Sequence, residues 1–498
     1  MPNSDGSSRA TLFARFTKCS CSLRQESDFS FACCCHSCPV YPHKLFPNRN
    51  LRRSFLRHLT LILLLTLYLV ATIFLGGVRQ LHLDEILQLQ DTRQPSVSKL
   101  LTSIPVHHIG SGPLGYLTQQ ATLKVTGYSV RRARLPAAIF GTGAVFAMYW
   151  LAMEMGLRYG AVAAAIFAML PFTVRYATEA RPYSQALFFS ILATIFYVRL
   201  SRRPGWRLAG AYSAALAAAA YAQPFAASVG LAHVLWSFLS HDRRVFALGT
   251  TAFGISIAAF LPWFYWSHLQ WTSGLEAGAV HFAISTKTPL MLFRELSGAG
   301  YWGSGILLIL CLWPAISDRI RLPLTLLATV PIVAGLAVDA WFGYFIAARQ
   351  FIWVLAPISL LAGCAERYGP WRRMALVLLG VVCLWQGFCW FTRPQEDWQS
   401  ASAAIQDRTD RRACLVVVPP EHAGFYQYFR PHLQQCGCDG SNVVLAISPY
   451  STSTQQSAQM VELRARGYRK ERETVVGKSI LIDWVRDVRE CHDNGLAE

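Results

Sequence analysis

Apolar and polar positions in this chain alternate on a long wavelength. From about Leu59 to Phe391, apolar stretches are separated by short breaks rich in Arg; beyond that the chain is polar and ordinary. A membrane-spanning helix needs about 20 mostly apolar residues. Stretches of about that kind lie near 56–77, 136–155, 160–177, 184–200, 208–222, 224–240, 245–264, 302–317, 323–341, 350–365 and 374–391. The pattern predicts an α-helical polytopic membrane protein of about eleven transmembrane helices. The polar tail reads differently. DWQSASAAIQDRT has helical spacing, and LVVVPP, NVVLAISPY and SILIDWV read as strands, so a small C-terminal α/β domain is expected.

Composition agrees with this division. Of 498 residues, 53% are hydrophobic and only 15% charged, against about a quarter charged in soluble proteins. The expected parts are an N-terminal segment 1–50, a membrane body 51–393 with a long first loop 79–134, and a globular domain 394–498. The net charge of +18 does not point to nucleic acid. The Arg residues sit in breaks between apolar stretches, and no basic stripe with interleaved aromatics occurs.

Those Arg residues orient the chain, because cytoplasmic loops carry the excess of Lys and Arg. Arg52, Arg53 and Arg57 precede the first stretch, which places the N-terminus in the cytoplasm. Alternation then makes cytoplasmic the breaks that hold Arg158, Arg199 to Arg207, Arg243 and Arg244, Arg319 and Arg321, and Arg367 to Arg373. An odd number of spans leaves the C-terminal domain outside a cell inner membrane. Trp263, Trp266, Trp271 and Trp302 fall at outer ends, where an interfacial aromatic belt belongs. Arg175, Arg181 and Arg349 lie at outer mouths of spans, where the charge rule disfavours them. A cation kept in such a place suggests an anion to bind.

The N-terminal 50 residues match neither part. Six of the 14 Cys lie between Cys19 and Cys38, without apolar periodicity. Cys35-x-x-Cys38 has zinc-ligand spacing, but the second pair of a zinc ribbon is missing. The segment is expected to be disordered, or translated from upstream of the true start. Cys414, Cys436, Cys438 and Cys491 fall in the outer domain, where disulfides are allowed; four Cys permit three pairings.

Candidate chemistry gathers on the outer side. LHLDEILQLQ follows the first span and sets Asp84 beside Glu85. Low-dielectric surroundings and a like neighbour raise a carboxylate's pKa, which suits a general base. A plain acidic helix start is the structural alternative. The same loop holds PVHHIGSGPLGYL, whose His107 and His108 could contact a sugar hydroxyl; two His alone do not make a metal site. Arg181 in RYATEARPYSQALFF, and Arg349 in WFGYFIAARQFIWVLAP, could each clamp a phosphate with a planar guanidinium or merely anchor a span at the headgroups. No Gly-rich nucleotide loop occurs, and ionisable residues inside spans are nearly absent, which argues against a proton-relay transporter.

These segments resemble, in order, motifs of bacterial GT-C membrane glycosyltransferases related to the protein O-mannosyltransferases and the lipid A aminoarabinose transferases. TEARPYSQALFF is similar to the family's Glu-Ala-Arg-Pro-Tyr segment, and Asp84-Glu85 to its acidic pair after span one. HHIGSGPLGYL is similar to its His-x-Pro-Pro-Leu segment, AARQFIWVLAP to its Arg-containing outer turn, and PQEDWQSASAAI with CLVVVPP to the start of its outer domain. Gly110-Ser111-Gly112 interrupts the His-x-Pro-Pro pattern, leaving only Pro113. The resemblance implies transfer of a sugar, hexose or pentose, from a polyprenyl-phosphate donor to a glycan, lipid or protein acceptor. It makes Asp84 the base, and Arg181, Arg349 and Tyr183 the donor-phosphate residues, with His107 and His108 on the acceptor or sugar. Glu85 would orient Asp84, bind a sugar hydroxyl or hold a divalent cation; no other cofactor is implied. Two other classes fit the same topology: a flippase for lipid-linked sugars, and a non-catalytic protein that binds the carrier.

Reporter fusions test the orientation. Fusions after Arg203 and Arg244 are expected to report cytoplasm, and one near Gln395 the outside; a cytoplasmic signal at Gln395 removes the proposed outer face.

Overall fold

The computed structural model describes residues 49–108, 110–270, 287–312, 317–342, 347–364, 369–393, 396–410, 413–435 and 441–486. Ser54–Glu498 forms one compact unit, apart from Met1–Arg53. The Cys-rich segment, Trp271, Arg367, Gln395, Cys436, Cys438 and Cys491 lie outside the described residues.

Each of the eleven apolar stretches contains a helix, but their lengths do not establish eleven spans. Among the described residues six helices are long and apolar enough to cross a membrane: His58–Val78, Val130–Glu154, Tyr183–Arg202, Arg243–Leu269, Arg319–Trp341 and Pro370–Thr392. Two bent pairs raise the number to eight. Gly160–Met169 and Pro171–Ala177 meet at 69°, Thr288–Ser297 and Gly300–Leu312 at 98°. Pro171 opens the second helix of its pair, where its missing N–H is harmless. The remaining three stretches are shorter. Trp206–Ala222 has 17 residues, and Pro224–Leu239 and Ala348–Gly363 are shorter still.

The enclosed helices include short ones and the long Tyr183–Arg202, which is mostly buried. Leu355 to Gly363 is buried at every position, and Trp206–Ala222 packs between its neighbours through Ala209, Tyr212, Leu216 and Ala219. Other long helices, such as His58–Val78 and Pro370–Thr392, leave most of their surface open. On His58–Val78, Leu63, Leu67, Val70 and Phe74 are all exposed, a continuous apolar face that water does not tolerate and lipid does. Small residues let the inner helices approach closely. Gly363 is one close approach of backbone to backbone: a Cβ there would stand 2.6 Å from the Cα and 2.7 Å from the N of Ala163.

The polar tail is an α/β layer. Strands β1 (Cys414–Val418), β2 (Asn442–Ile447), β3 (Tyr468–Val476) and β4 (Ser479–Arg486) form one sheet in the order β1-β2-β4-β3. β1 and β2 run parallel; β4 pairs antiparallel with both β2 and β3. The expected helix is Trp398–Thr409. β3 is not legible as a strand in the sequence because five consecutive residues of YRKERETVV, Arg469 to Glu473, are charged. It is an edge strand with most of its side chains in solvent, so neither face has to be apolar. Cys414 is disulfide-bonded, while Cys311, Cys364, Cys383 and Cys389 are free.

Sheet and membrane body share a core. Leu81, Ile86, Leu89 and Ala180 pack in one cluster with Trp398, Ile405, Phe425 and Tyr426. The first loop is therefore roofed by the α/β layer.

Gly363→Ala is expected to destabilise the protein by about 1–3 kcal/mol, because the added methyl meets backbone that cannot swing aside. A lower thermal midpoint in detergent, with helix content retained, is the measurement.

Candidate active site

Three helices fold the first loop: Leu83–Thr92, Val97–His107 and Leu114–Thr126. Asp84 and Glu85 stand in the first turn of the first, where the helix dipole favours negative charge. Adjacent in sequence, they face different surroundings.

Glu85 is wholly enclosed. Arg134 grips it with two prongs, Nε to Oε1 at 2.8 Å and Nη2 to Oε2 at 2.7 Å. The backbone N–H of Ala180 donates to Oε1 at 2.6 Å, and that of His82 to Oε2 at 3.0 Å. Arg134 directs its remaining donors to the carbonyls of Gly76, Arg79 and Gln80. One buried ion pair thus joins the end of the first span, the Asp84 helix, the start of the next span and the turn before Arg181. Burial pushes the Glu85 carboxyl up, but Arg134 outweighs it and the net direction is down.

Asp84 faces an opening, with its side chain 29% exposed. Arg349 Nη2 lies 3.3 Å and Arg181 Nη2 3.9 Å from Oδ2. Arg181 Nη1 also donates to the Asp84 carbonyl at 3.2 Å. The expectation of a raised Asp84 pKa is corrected here. Burial does push the carboxyl up, but Arg181 and Arg349 more than offset it, and Asp84 is held ionised below the usual carboxylate range. The sequence reading counted the like-charged neighbour and missed two cations from 97 and 265 residues away (181 − 84 and 349 − 84). Tyr183 is buried beside Arg181, its ring 5.8 Å from the guanidinium and edge-on to Tyr176.

Arg175 has a partner inside the protein. Its Nε donates to Glu179 Oε1 at 3.0 Å, and Arg79 Nη1 reaches the same oxygen at 3.0 Å. Arg79 also lies 4.0 Å over the Trp390 ring, tying the first span to the last.

His107 and His108 converge on Asp91. His107 Nδ1 lies 2.7 Å from Oδ1 and His108 Nε2 3.1 Å from Oδ2. Burial lowers the His108 pKa, with Asp91 opposing it. Asp91 is seven residues after Asp84, two helical turns along the same helix. That spacing was readable, and the sequence reading passed over it. Gly112 explains the interrupted Pro pattern: a Cβ there would meet the Tyr221 carbonyl oxygen at 2.0 Å. Among the described residues no group of three or more His, Cys, Asp or Glu is placed to hold a metal ion.

The chain superposes on ArnT from Cupriavidus metallidurans bound to undecaprenyl phosphate with a TM-score of 0.55 and 15% identity, covering 85% of this chain and 97% of that one. The apo form gives 0.57 at the same identity and coverage. This is the GT-C fold of ArnT. An Archaeoglobus fulgidus oligosaccharyltransferase is more distant, with a TM-score of 0.44, 12% identity, and 76% and 59% of the two chains covered. No family model matches the sequence, and no curated protein does. At this identity the ArnT likeness carries the fold; the roles of side chains rest on the contacts above.

Removing Glu85 is expected to cost stability rather than chemistry alone. Glu85→Ala strands a buried guanidinium and should lose about 3–5 kcal/mol. Asp84→Asn, at a partly open position, should lose less than half of that; thermal unfolding of both variants in detergent measures the difference.

Proposed function

We propose that the protein is a membrane glycosyltransferase that moves a sugar from a polyprenyl-phosphate donor to a glycan, lipid or protein acceptor on the extracytoplasmic face. The observation that carries this reading is the convergence of Arg181 and Arg349 on Asp84 Oδ2. Two guanidinium groups from different spans meet at one open carboxylate. Asp84 itself presents an anion to both of them. The undecaprenyl phosphate bound to the solved ArnT is an anion on a lipid tail, and a donor of that class suits two arginines beside a membrane.

The same geometry supplies a mechanism. A donor phosphate that engages Arg181 and Arg349 draws them from Asp84, whose pKa then rises toward that of a working base. Asp84 takes the proton of the acceptor hydroxyl as its oxygen bonds to the anomeric carbon. The bond from that carbon to the phosphate oxygen breaks, and the carrier phosphate leaves with an added negative charge. The two arginines stabilise that charge where it develops. Glu85, sealed against Arg134, orients the Asp84 helix; no step is assigned to a divalent cation. His107 and His108, backed by Asp91, are placed on the acceptor or sugar side.

The domain reading follows the same division: 51–393 as the membrane body with its catalytic loop 79–134, 394–498 as an extracytoplasmic α/β domain, and 1–50 as a Cys-rich N-terminal segment dispensable for activity. Parity supports an outer C-terminal domain. The first loop and the domain are in contact, as in the 2.9 Å bond from Leu83 N–H to Glu396, so an even number of crossings lies between them. The total is then odd, and the eight long or bent spans plus the three short apolar helices make eleven. Side-chain contacts keep to the faces that the Arg alternation assigns. Arg199 meets Glu154 at 2.5 Å between two cytoplasmic breaks, and Trp263 donates to the Ser111 carbonyl between two outer ones. The reading places the protein in the inner membrane with a cytoplasmic N-terminus.

Asp84→Asn should abolish transfer of labelled sugar from a polyprenyl-phosphate donor, a loss of about a hundred- to ten-thousand-fold, while donor binding persists. Arg181→Ala and Arg349→Ala should each weaken donor binding by about 1.5–3 kcal/mol, with Lys restoring part. Near-normal turnover in Asp84→Asn overturns the mechanism; donor binding with no turnover in the wild type favours a flippase or a carrier-binding protein.

A further inference from the structure

The PQEDWQ segment, which in sequence marks only the start of the outer domain, reaches into the site. Glu396 follows the last span, is 3% exposed, and its carboxylate bridges its own domain and the first loop. Oε2 accepts from the backbone N–H of Leu83 at 2.9 Å and from Trp398 Nε1 at 3.0 Å. Oε1 lies 2.8 Å from His82 Nε2 and accepts from the Tyr450 hydroxyl. Both oxygens are used twice. Two of the four partners belong to the outer domain; the other two are the residues immediately before Asp84.

The Leu83 amide is the significant one. The first N–H groups of a helix have no partner inside it. Here Glu85 takes the N–H of His82 from below and Glu396 takes that of Leu83 from above. The two carboxylates belong to different layers, and the peptide they hold is the one that aims Asp84. Burial alone would push the Glu396 carboxyl up, but its bonds to His82, Tyr450 and Trp398 prevail and it is held ionised.

We propose that Glu396 is a positioning residue: the outer α/β domain, through Glu396 and its contacts with Leu83 and His82, sets the position of Asp84 against Arg181 and Arg349. The domain is then a working part of the site, rather than a cap or a docking platform alone. A shift of the domain relative to the membrane body would move Asp84 with it. The kinetic part of this inference rests on the transferase reading; the mechanical part does not.

The test uses the full-length purified protein. Hydrogen exchange is followed in the peptide spanning His82 to Gln88, beside turnover and binding of a polyprenyl-phosphate sugar. Glu396→Ala is expected to speed exchange in that peptide at least about tenfold, at unchanged protection in Tyr183–Arg202. Its kcat should fall on the order of a hundredfold, the scale of a misplaced catalytic group, with donor affinity within about twofold. Glu396→Gln keeps one carbonyl acceptor and should fall between Ala and wild type. His82→Ala combined with Glu396→Ala should be no more than about twofold worse than Glu396→Ala, since both act through one contact. Wild-type exchange and kcat in Glu396→Ala overturns the proposal. So does loss of donor binding or of protection throughout the chain in both the Ala and the Gln variant, which makes Glu396 a folding residue. If the wild type transfers no sugar while Glu396→Ala still frees the peptide, the transferase reading fails and the clamp stands.

Discussion

The two-pronged ion pair between Glu85 and Arg134 is sealed from water, and four parts of the chain depend on it. Removing two charges from water costs several kcal/mol for each ion, a cost offset only when every remaining lone pair and donor finds a partner. Here they do. Glu85 also receives the N–H groups of Ala180 and His82, and Arg134 also reaches the carbonyls of Gly76, Arg79 and Gln80. The pair therefore does little as a source of net stability and much as a gauge. It holds the end of the first span, the Asp84 helix and the turn before Arg181 at set separations. Asp84 can meet Arg181 because Glu85, one residue on, is bonded to Ala180, one residue before it.

A rigid frame beside an open carboxylate separates the duties of two adjacent acids. Glu85 has its charge neutralised permanently. Asp84 is neutralised by Arg181, 9% exposed, and by the more open Arg349, 28% exposed, where an incoming anion can compete. Surface ion pairs contribute about 0–1 kcal/mol, and a partly open pair can be exchanged at small cost. The enclosed Glu179, shared by Arg175 and Arg79, and the Asp91 cluster with His107 and His108 surround this opening with charges that are already partnered. Arg349, the more open of the two cations next to Asp84, is the one a ligand reaches first.

The membrane body meets a different constraint. Lipid satisfies no backbone polar group, so every crossing is helical; Tyr183–Arg202 and Leu355–Gly363 are enclosed by protein, while His58–Val78 and Pro370–Thr392 leave most of their apolar surface open. The C-terminal α/β domain packs onto the first loop. Its first helix contributes Trp398, Ala401 and Ile405 to a core shared with the loop, and the sheet rests on that core rather than standing free.

Much of the architecture was legible because it is written in local composition. Apolar length marks a helix wherever it occurs, and Arg in the breaks marks a face, because the cost of moving charge into lipid depends on the residue and not on its partners. Strands β1, β2 and β4 were readable for the same reason, and β3 was not, since an edge strand need not be apolar. The candidate residues were legible as types in places: acids after the first span, arginines at outer mouths. What they do to one another was not. Asp84 was expected to have a raised pKa from its neighbour in sequence, and its neighbours in space lower it. Glu85 looked like the twin of Asp84 until Arg134, 49 residues away, enclosed it. Glu396 read as a domain boundary until the domain folded back onto Leu83. Span lengths likewise became ambiguous once tertiary packing showed which apolar helices are enclosed by protein. The sequence by itself determined which segments avoid water and which side carries charge, because transfer free energies are properties of residues. The tertiary structure alone decided which charges meet, because Coulombic and hydrogen-bond energies depend on distance, and distance is not a property of the chain until it folds.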